Sequence, residues 1–226
     1  MLTGLLYAMK GEIGSLLPPD AAPERTEAGV LFYRLRPDLV ACCGGVGKVN
    51  AAMATQLFID LYRPGRIINV GVAGCFENVP IGTLVLAEKF MQHDVDTTAV
   101  GDPIGLVSTV NTVTFPTWDP QRCREILREL GHPAESGRVA SGDWFAVKGP
   151  RAAWIRDTFH PTLTEMEGGA IAQVCLRNGT RFVALKSVSD HLFSERQAEE
   201  YFDFGEALEA LGRVVLPFAQ RLIKEG

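Results

Sequence analysis

Short apolar runs of strand length alternate along this chain with segments of helical period, and that alternation constrains the fold more than any other feature. Residues 2–8, 30–36, 39–43, 66–72, 83–92 and 181–188 read as strands, the second and third joined by a turn at Arg36-Pro37-Asp38. Within 48–62 the residues Val49, Met53, Leu57, Phe58 and Leu61 recur at helical spacing, and Pro64-Gly65 stops that helix. Asp119 caps a helix reaching about residue 130, with Pro120 at its first position. Pro150 opens a short helix, a strand ends near Met166, and a helix over 169–177 stops at Asn178-Gly179. Residues 203–223 form a closing amphipathic helix that Pro217 should kink, and 104–117 read as a long loop. The pattern predicts an α/β protein: a single domain over 1–226, built as a three-layer α/β/α sandwich on a mixed, largely parallel central sheet.

Composition fits one ordinary core. The chain has 226 residues, 46% hydrophobic and 22% charged, which excludes wholesale disorder and rod-like folds. Net charge is −5 and the 22 Lys and Arg residues are scattered, so no nucleic-acid partner is expected. No apolar run approaches the roughly 18–20 residues of a membrane span. Residues 1–9 are apolar but lack a basic flank and a cleavage site, so they read as a first core strand. A cytoplasmic location without membrane contact is the expectation. The five cysteines, Cys42, Cys43, Cys75, Cys123 and Cys175, are odd in number and form no CxxC, which suits buried free thiols in a reducing compartment.

In parallel sheets ligands sit beyond the carboxyl ends of strands, and here the glycine and polar clusters fall there. Asp190 closes the apolar run 182–188. A partly desolvated carboxyl group at that place suits a general acid; an N-cap or loop aspartate is the structural alternative. In Glu165-Met166-Glu167-Gly168-Gly169 two carboxylates at spacing two point the same way on an extended chain, fit to accept paired hydrogen bonds from a sugar diol. They equally suit a helix N-terminus. Glu12 follows the first strand, as a first-turn helix acid or as a partner for Asp190. Together the two would supply the carboxyl pair of glycosidic cleavage, one activating water and one protonating the leaving group. Gly44-Gly45-Val46-Gly47-Lys48 opens a helix whose N–H groups suit an anion or polar ligand, though it is neither a Walker A loop nor GxGxxG. Gly71 to Gly74 reads as a tight turn. His93-Asp94-Val95-Asp96 lacks metal-ligand spacing and reads as a structural hydrogen-bonded pair at a loop or subunit contact; no metal or other cofactor is called for.

Seven pieces in order resemble the nucleoside phosphorylase/nucleosidase superfamily, and within it the methylthioadenosine/S-adenosylhomocysteine nucleosidases. They are Ala8-Met9-Lys10-Gly11-Glu12, Gly45-Val46-Gly47-Lys48-Val49, Asn69 to Gly74, His93 to Asp96, Ser141-Gly142-Asp143-Trp144-Phe145, Glu165-Met166-Glu167 and Val188-Ser189-Asp190. The resemblance implies a purine nucleoside as small-molecule partner and hydrolysis of its N-glycosidic bond. It implies Glu12 as the base for water, and Asp190, held by Ser189, as the acid at adenine N7. Glu167 would bind the ribose hydroxyls with Met166 against the sugar, and Glu165 joins the substrate-binding set. Phe145 would stack on adenine and the Ala146 backbone would read its edge. Met9, Val46 and Phe202 would wall a 5′-alkylthio pocket. It further implies a homodimer with the 93–116 region near the interface. Two positions and one stretch depart from the family pattern: Val72 stands where serine is common and Lys186 where arginine is, both near the expected water or phosphate position, and residues 101–116 differ from the nucleosidase pattern. The alternatives are a purine nucleoside phosphorylase, a nucleosidase of the futalosine type, and a non-enzymatic nucleoside-binding protein.

Overall fold

Thr3–Tyr7 forms β1, buried along its whole length in the middle of a mixed ten-strand sheet. The computed structural model describes residues 1–226 except Pro19 and Asp203, and leaves out the side chains of Ser15, Ala198, Tyr201 and Phe202. After β1 come α1 (Lys10–Ile13), β2 (Arg25–Glu27), β3 (Val30–Arg36), β4 (Leu39–Cys43), α2 (Lys48–Tyr62), β5 (Arg66–Cys75) and β6 (Leu84–Gln92). Then follow β7 (Thr114–Pro116), α3 (Pro120–Glu129), β8 (Glu135–Ser141), α4 (Pro150–Phe159), β9 (Leu163–Glu165), α5 (Gly168–Asn178), β10 (Arg181–His191), α6 (Gln197–Phe202) and α7 (Gly205–Lys224).

The long pairings are parallel: β1 with β4 and β5, β5 with β10, and β6 with β8. The sheet also closes on itself, because β5, β10, β6, β8 and β9 pair in a continuous circuit back to β5. On one edge of β5, β1 pairs as far as Asn69 and β9 joins only at Gly74. Residues 70–73 between them have no strand on that edge, and the sheet parts there.

Helices cover both faces. α2 and α5 pack over a core holding Phe32, Phe58, Phe90, Ile171 and Phe182, while α3 and α7 cover Leu5, Tyr7, Ile126, Leu211 and Phe218. Each such fully buried large side chain contributes roughly 1.5–3 kcal/mol of transfer free energy. α2 begins after Gly47, whose φ of +96° suits glycine, and ends at Arg63 in the left-handed region. Asp119 caps α3 by accepting from Arg122 N, behind Pro120 at the first position. α7 continues as one helix through Pro217.

Three expectations change. Gly71 to Gly74 is not a turn, because β5 runs on through Cys75. β10 extends past Val188, so Ser189 and Asp190 lie within a strand, with a register shift there opposite Ala73 and Gly74. A separate short helix, α6, precedes the closing one. Residues 104–117 are loop and single turns apart from β7, which pairs with β6. All five cysteines are free, and no helix among the described residues is long and apolar enough to cross a membrane.

Candidate active site

A solvent-open cleft lies at the part in the sheet, walled by both carboxylate-bearing segments and by residues 72–74 of β5. Glu12 reaches it from α1, whose four residues turn the chain back after β1. Its Oε2 accepts from the backbone N–H groups of Ala8 (3.0 Å) and Met9 (2.9 Å), and Oε1 accepts from Val72 N (3.2 Å). The Val72 N–H belongs to the stretch of β5 without a strand partner on one edge. Burial nonetheless prevails over these bonds and over the nearby Lys186 charge, and pushes the Glu12 carboxyl above its ordinary range. Gly71 makes room: a Cβ there would lie 2.6 Å from Glu12 Oε1.

Asp190 stands across Gly74, where a Cβ would approach its Oδ2 to 3.2 Å. Since Gly71 and Gly74 are three residues apart on β5, the two carboxylates flank about 10 Å of strand. Asp190 Oδ1 accepts from Ser189 Oγ (2.7 Å) and Oδ2 accepts from the Gln197 side-chain amide (2.9 Å). Burial raises the Asp190 carboxyl against both bonds.

Glu165 and Glu167 both border the cleft but are held very differently. Glu165 receives Lys186 Nζ at 3.0 Å, the Ser141 hydroxyl, and the N–H groups of Glu167 and Gly168 at the start of α5. Burial alone would raise it, but Lys186, Ser141 and Gly168 outweigh burial and hold it below the usual range. Glu167 accepts from Gly47 N at 2.7 Å across 120 residues of sequence. Burial first, and then the Glu165 charge, push it up to about 7. The helix-opening turn thus does hold anions, as its N–H groups suggested, and they are the chain's own: Glu167 on Gly47 N and Asp143 on Lys48 N.

Met9, Val46, Val72, Phe145, Ala146, Met166 and Ser189 all border the cleft. Phe145 stands at its mouth with 43% of its surface exposed. Lys186 is absent from the wall; it sits behind Glu165, sealed from water. The side chain of Phe202 lies outside the described residues. His93 and Asp94 do not pair with each other. Asp94 takes Lys48 Nζ at 2.6 Å and Asp143 N at 2.8 Å, while both ring nitrogens of the buried His93 lack a partner among the described residues. That network ties Lys48 and Asp143 together and so fixes Gly47 on Glu167.

Sequence reasoning missed Trp144 and Thr164 in the wall, Thr164 with a buried hydroxyl that makes no hydrogen bond in this structure. It missed Gln197 altogether. Nothing local to these residues signals a role, since strand closure and a distant helix bring them in. Among the described residues no Lys or Arg lines the cleft, whereas Glu12, Glu165, Glu167 and Asp190 all do.

A sequence model of the phosphorylase superfamily matches residues 3–224. The 5′-methylthioadenosine/S-adenosylhomocysteine nucleosidase of Shewanella sp. (strain MR-7) is 35% identical over 200 residues, covering 84% of each chain. The nucleosidase of the same name from Colwellia psychrerythraea 34H, solved in complex with adenine, is 30% identical; it superposes with a TM-score of 0.87 over 98% of this chain and 96% of its own. Futalosine hydrolase of Helicobacter pylori, at 24% identity and a TM-score of 0.87 over 98% of both chains, shares the fold. With this cleft and these relatives, the chain belongs to the phosphorylase superfamily and, within it, to the 5′-methylthioadenosine/S-adenosylhomocysteine nucleosidase family.

Proposed function

We propose that this chain hydrolyses the N-glycosidic bond of 5′-methylthioadenosine and S-adenosylhomocysteine, releasing adenine and the 5′-thio-ribose. The observation that carries the reading is a cleft with two separately held carboxyl groups, Glu12 on three backbone N–H groups and Asp190 on Ser189 and Gln197, and no cation in its wall among the described residues. Cleavage builds positive charge on the ribose and negative charge on the purine. Asp190, whose carboxyl group burial pushes above its ordinary range, donates a proton to N7 and makes adenine a neutral leaving group. Ser189 holds its other oxygen. Glu12, anchored by three N–H groups, takes the proton of the attacking water, and its charge with that of Glu167 favours the cationic sugar.

Glu167 accepts from the ribose hydroxyls, with Met166 against the ring. Phe145 stacks on the base and the Ala146 backbone reads its edge. Met9 and Val46 wall the 5′-thioether, which an apolar subsite accepts without a polar partner. Phosphorolysis needs a clamp for a phosphate dianion. The cleft wall presents carboxyl side chains and, among the described residues, no Lys or Arg, and Lys186, the nearby cation, is already paired with Glu165. We assign the chain as one domain working as a cytoplasmic homodimer. Exposed Val46, Val49 and Met53 at the start of α2 and Val100 in the 93–116 region support the dimer, which light scattering would read directly.

Incubation with methylthioadenosine, with and without phosphate, tests the reaction. Adenine and methylthioribose without phosphate are expected. Methylthioribose 1-phosphate formed only with phosphate would replace hydrolysis by phosphorolysis.

A further inference from the structure

Glu167 is fastened from outside the cleft by a closed ring of hydrogen bonds. Lys48 N donates to Asp143 Oδ1 at 2.7 Å, Asp143 N donates to Asp94 Oδ2 at 2.8 Å, and Lys48 Nζ returns to Asp94 Oδ1 at 2.6 Å. The three residues come from the start of α2, the loop after β6 and the loop after β8. Neither Asp94 nor Asp143 borders the cleft, yet the ring sits directly behind it. Lys48 follows Gly47, whose N–H lies 2.7 Å from Glu167 Oε1. Gly47 has a φ of +96°, and a Cβ there would lie 3.0 Å from Asp143 Oδ1, so the turn is built around that carboxyl group. Each oxygen of Asp94 accepts one ring bond, and each bond comes from a different segment of the chain. Burial alone would raise the Asp94 carboxyl, but Lys48 and the Asp143 N–H outweigh burial and hold it below its ordinary range. Asp94 therefore stays charged while Glu167 titrates at about 7.

We propose that Asp94 is a positioning residue for substrate binding: through Asp143 and Lys48 it holds the Gly47 N–H on Glu167, and so sets the carboxylate that takes the ribose hydroxyls. This rests on the ribose-binding role given above to Glu167. A carboxylate accepts at both oxygens, whereas an asparagine has one oxygen and one NH₂. Asp94→Asn therefore sets an NH₂ against either Lys48 Nζ or Asp143 N, whichever way the amide turns, and opens the ring at that bond. The turn over 44–48 then loses a fastening and Glu167 loses its Gly47 donor. Donation by Gly47 favours the ionised form of Glu167, so its loss pushes the Glu167 carboxyl further up. Charge alone predicts the opposite sign, because removing a negative charge from the surroundings of a carboxyl group lowers it. The charged groups that face Glu167 from the other elements, Glu12 on α1, Glu165 on β9 and Lys186 on β10, are untouched by the substitution. The sign of the shift separates positioning from simple electrostatics.

The test follows the Glu167 carboxyl group by carbon NMR in protein labelled at glutamate, with the resonance assigned by its loss in Glu167→Gln. The wild type should titrate at about 7. Asp94→Asn should move that midpoint up by about one pH unit, the worth of one hydrogen bond to a charged group. Asp143→Ala opens the ring at another bond and also deletes a carboxyl group. It should move the midpoint in the same direction, so the outcome does not hang on one variant folding. For Asp94→Asn, kcat/KM with methylthioadenosine should fall about 5-fold at pH 7, and the gap should narrow to about 2-fold or less by about pH 8.5, where Glu167 is ionised in both proteins. A midpoint that stays or falls in both variants would overturn the proposal. So would an equal loss of kcat/KM at both pH values, which is what a merely structural role would give. If the midpoints rise yet the wild type turns over no methylthioadenosine, the hold of the ring on Glu167 stands and the nucleosidase reading falls.

Discussion

Lys186 Nζ lies 3.0 Å from Glu165 Oε2, and the two side chains keep only 2% and 3% of their surface in contact with water. Glu165 in turn receives the first N–H groups of α5, so the pair fixes the turn that delivers Glu167 to the cleft. A buried pair adds little net stability over apolar packing, but removing one partner leaves a charge with no compensation. Lys186→Met should cost about 3–5 kcal/mol in urea unfolding. The double variant Glu165→Gln with Lys186→Met should recover a large part of that loss. A loss under about 1 kcal/mol for Lys186→Met would mean that the pair does not hold the turn.

Because Lys186 is spent on Glu165, Glu167 titrates in burial and beside a negative neighbour, at about 7. The folded chain then binds more protons than the unfolded chain between the ordinary glutamate range and pH 7. Stability from this group is greatest at low pH and falls as pH rises through that window, by up to about 1.4 kcal/mol per pH unit. Subtracting the unfolding curve of Glu167→Gln from that of the wild type isolates the slope. If ionised Glu167 binds the ribose, the substrate affinity of the wild type should improve as pH rises through 7, and that limb should vanish in the variant. A flat difference curve between pH 5 and 8 would contradict the assigned environment.

Much of this was legible in the sequence where the signal is local. α2 runs over Lys48–Tyr62 as its apolar period and the Pro64-Gly65 stop implied, and the Asp119-Pro120 start of α3 is where its cap chemistry put it. Gly71 to Gly74 misled, because the glycines that resemble a turn are there for clearance: Gly71 for Glu12, and Gly74 for Asp190 and Leu192. Spacing alone gave Glu165 and Glu167 the same standing. What separates them comes from Lys186 and Gly47, 21 and 120 residues away. α6 is short and polar with no period to read, so Gln197 carried no signal before the fold placed it.

Asp190→Asn keeps the shape of the side chain and one of its two accepting oxygens but removes the proton donor. Turnover of methylthioadenosine should fall by about 10²–10⁴-fold, with the thermal midpoint nearly unchanged. Ser189→Ala, which frees Oδ1, should lower kcat by a smaller factor and leave KM close to its original value. Retention of wild-type turnover by Asp190→Asn would remove the acid from the mechanism.

Gly71 offers the sharpest separation of stability from chemistry. The three heavy atoms nearest to a Cβ at that position belong to the Glu12 carboxyl group, at 2.6, 3.4 and 3.7 Å. Glu12 cannot retreat without giving up the N–H groups of Ala8 and Met9, so Gly71→Ala must move the base from the water it activates. A displacement of about 1 Å at a reacting group costs on the order of 10²-fold in rate. Gly137→Ala provides the control. Its Cβ would meet Val85 Cγ1 at 2.6 Å and Thr162, neither of which lines the cleft. Each substitution should cost about 1–3 kcal/mol of stability by overpacking, but only Gly71→Ala should lose kcat. Equal kcat in the two variants would show that Glu12 is not fastened where the reaction needs it.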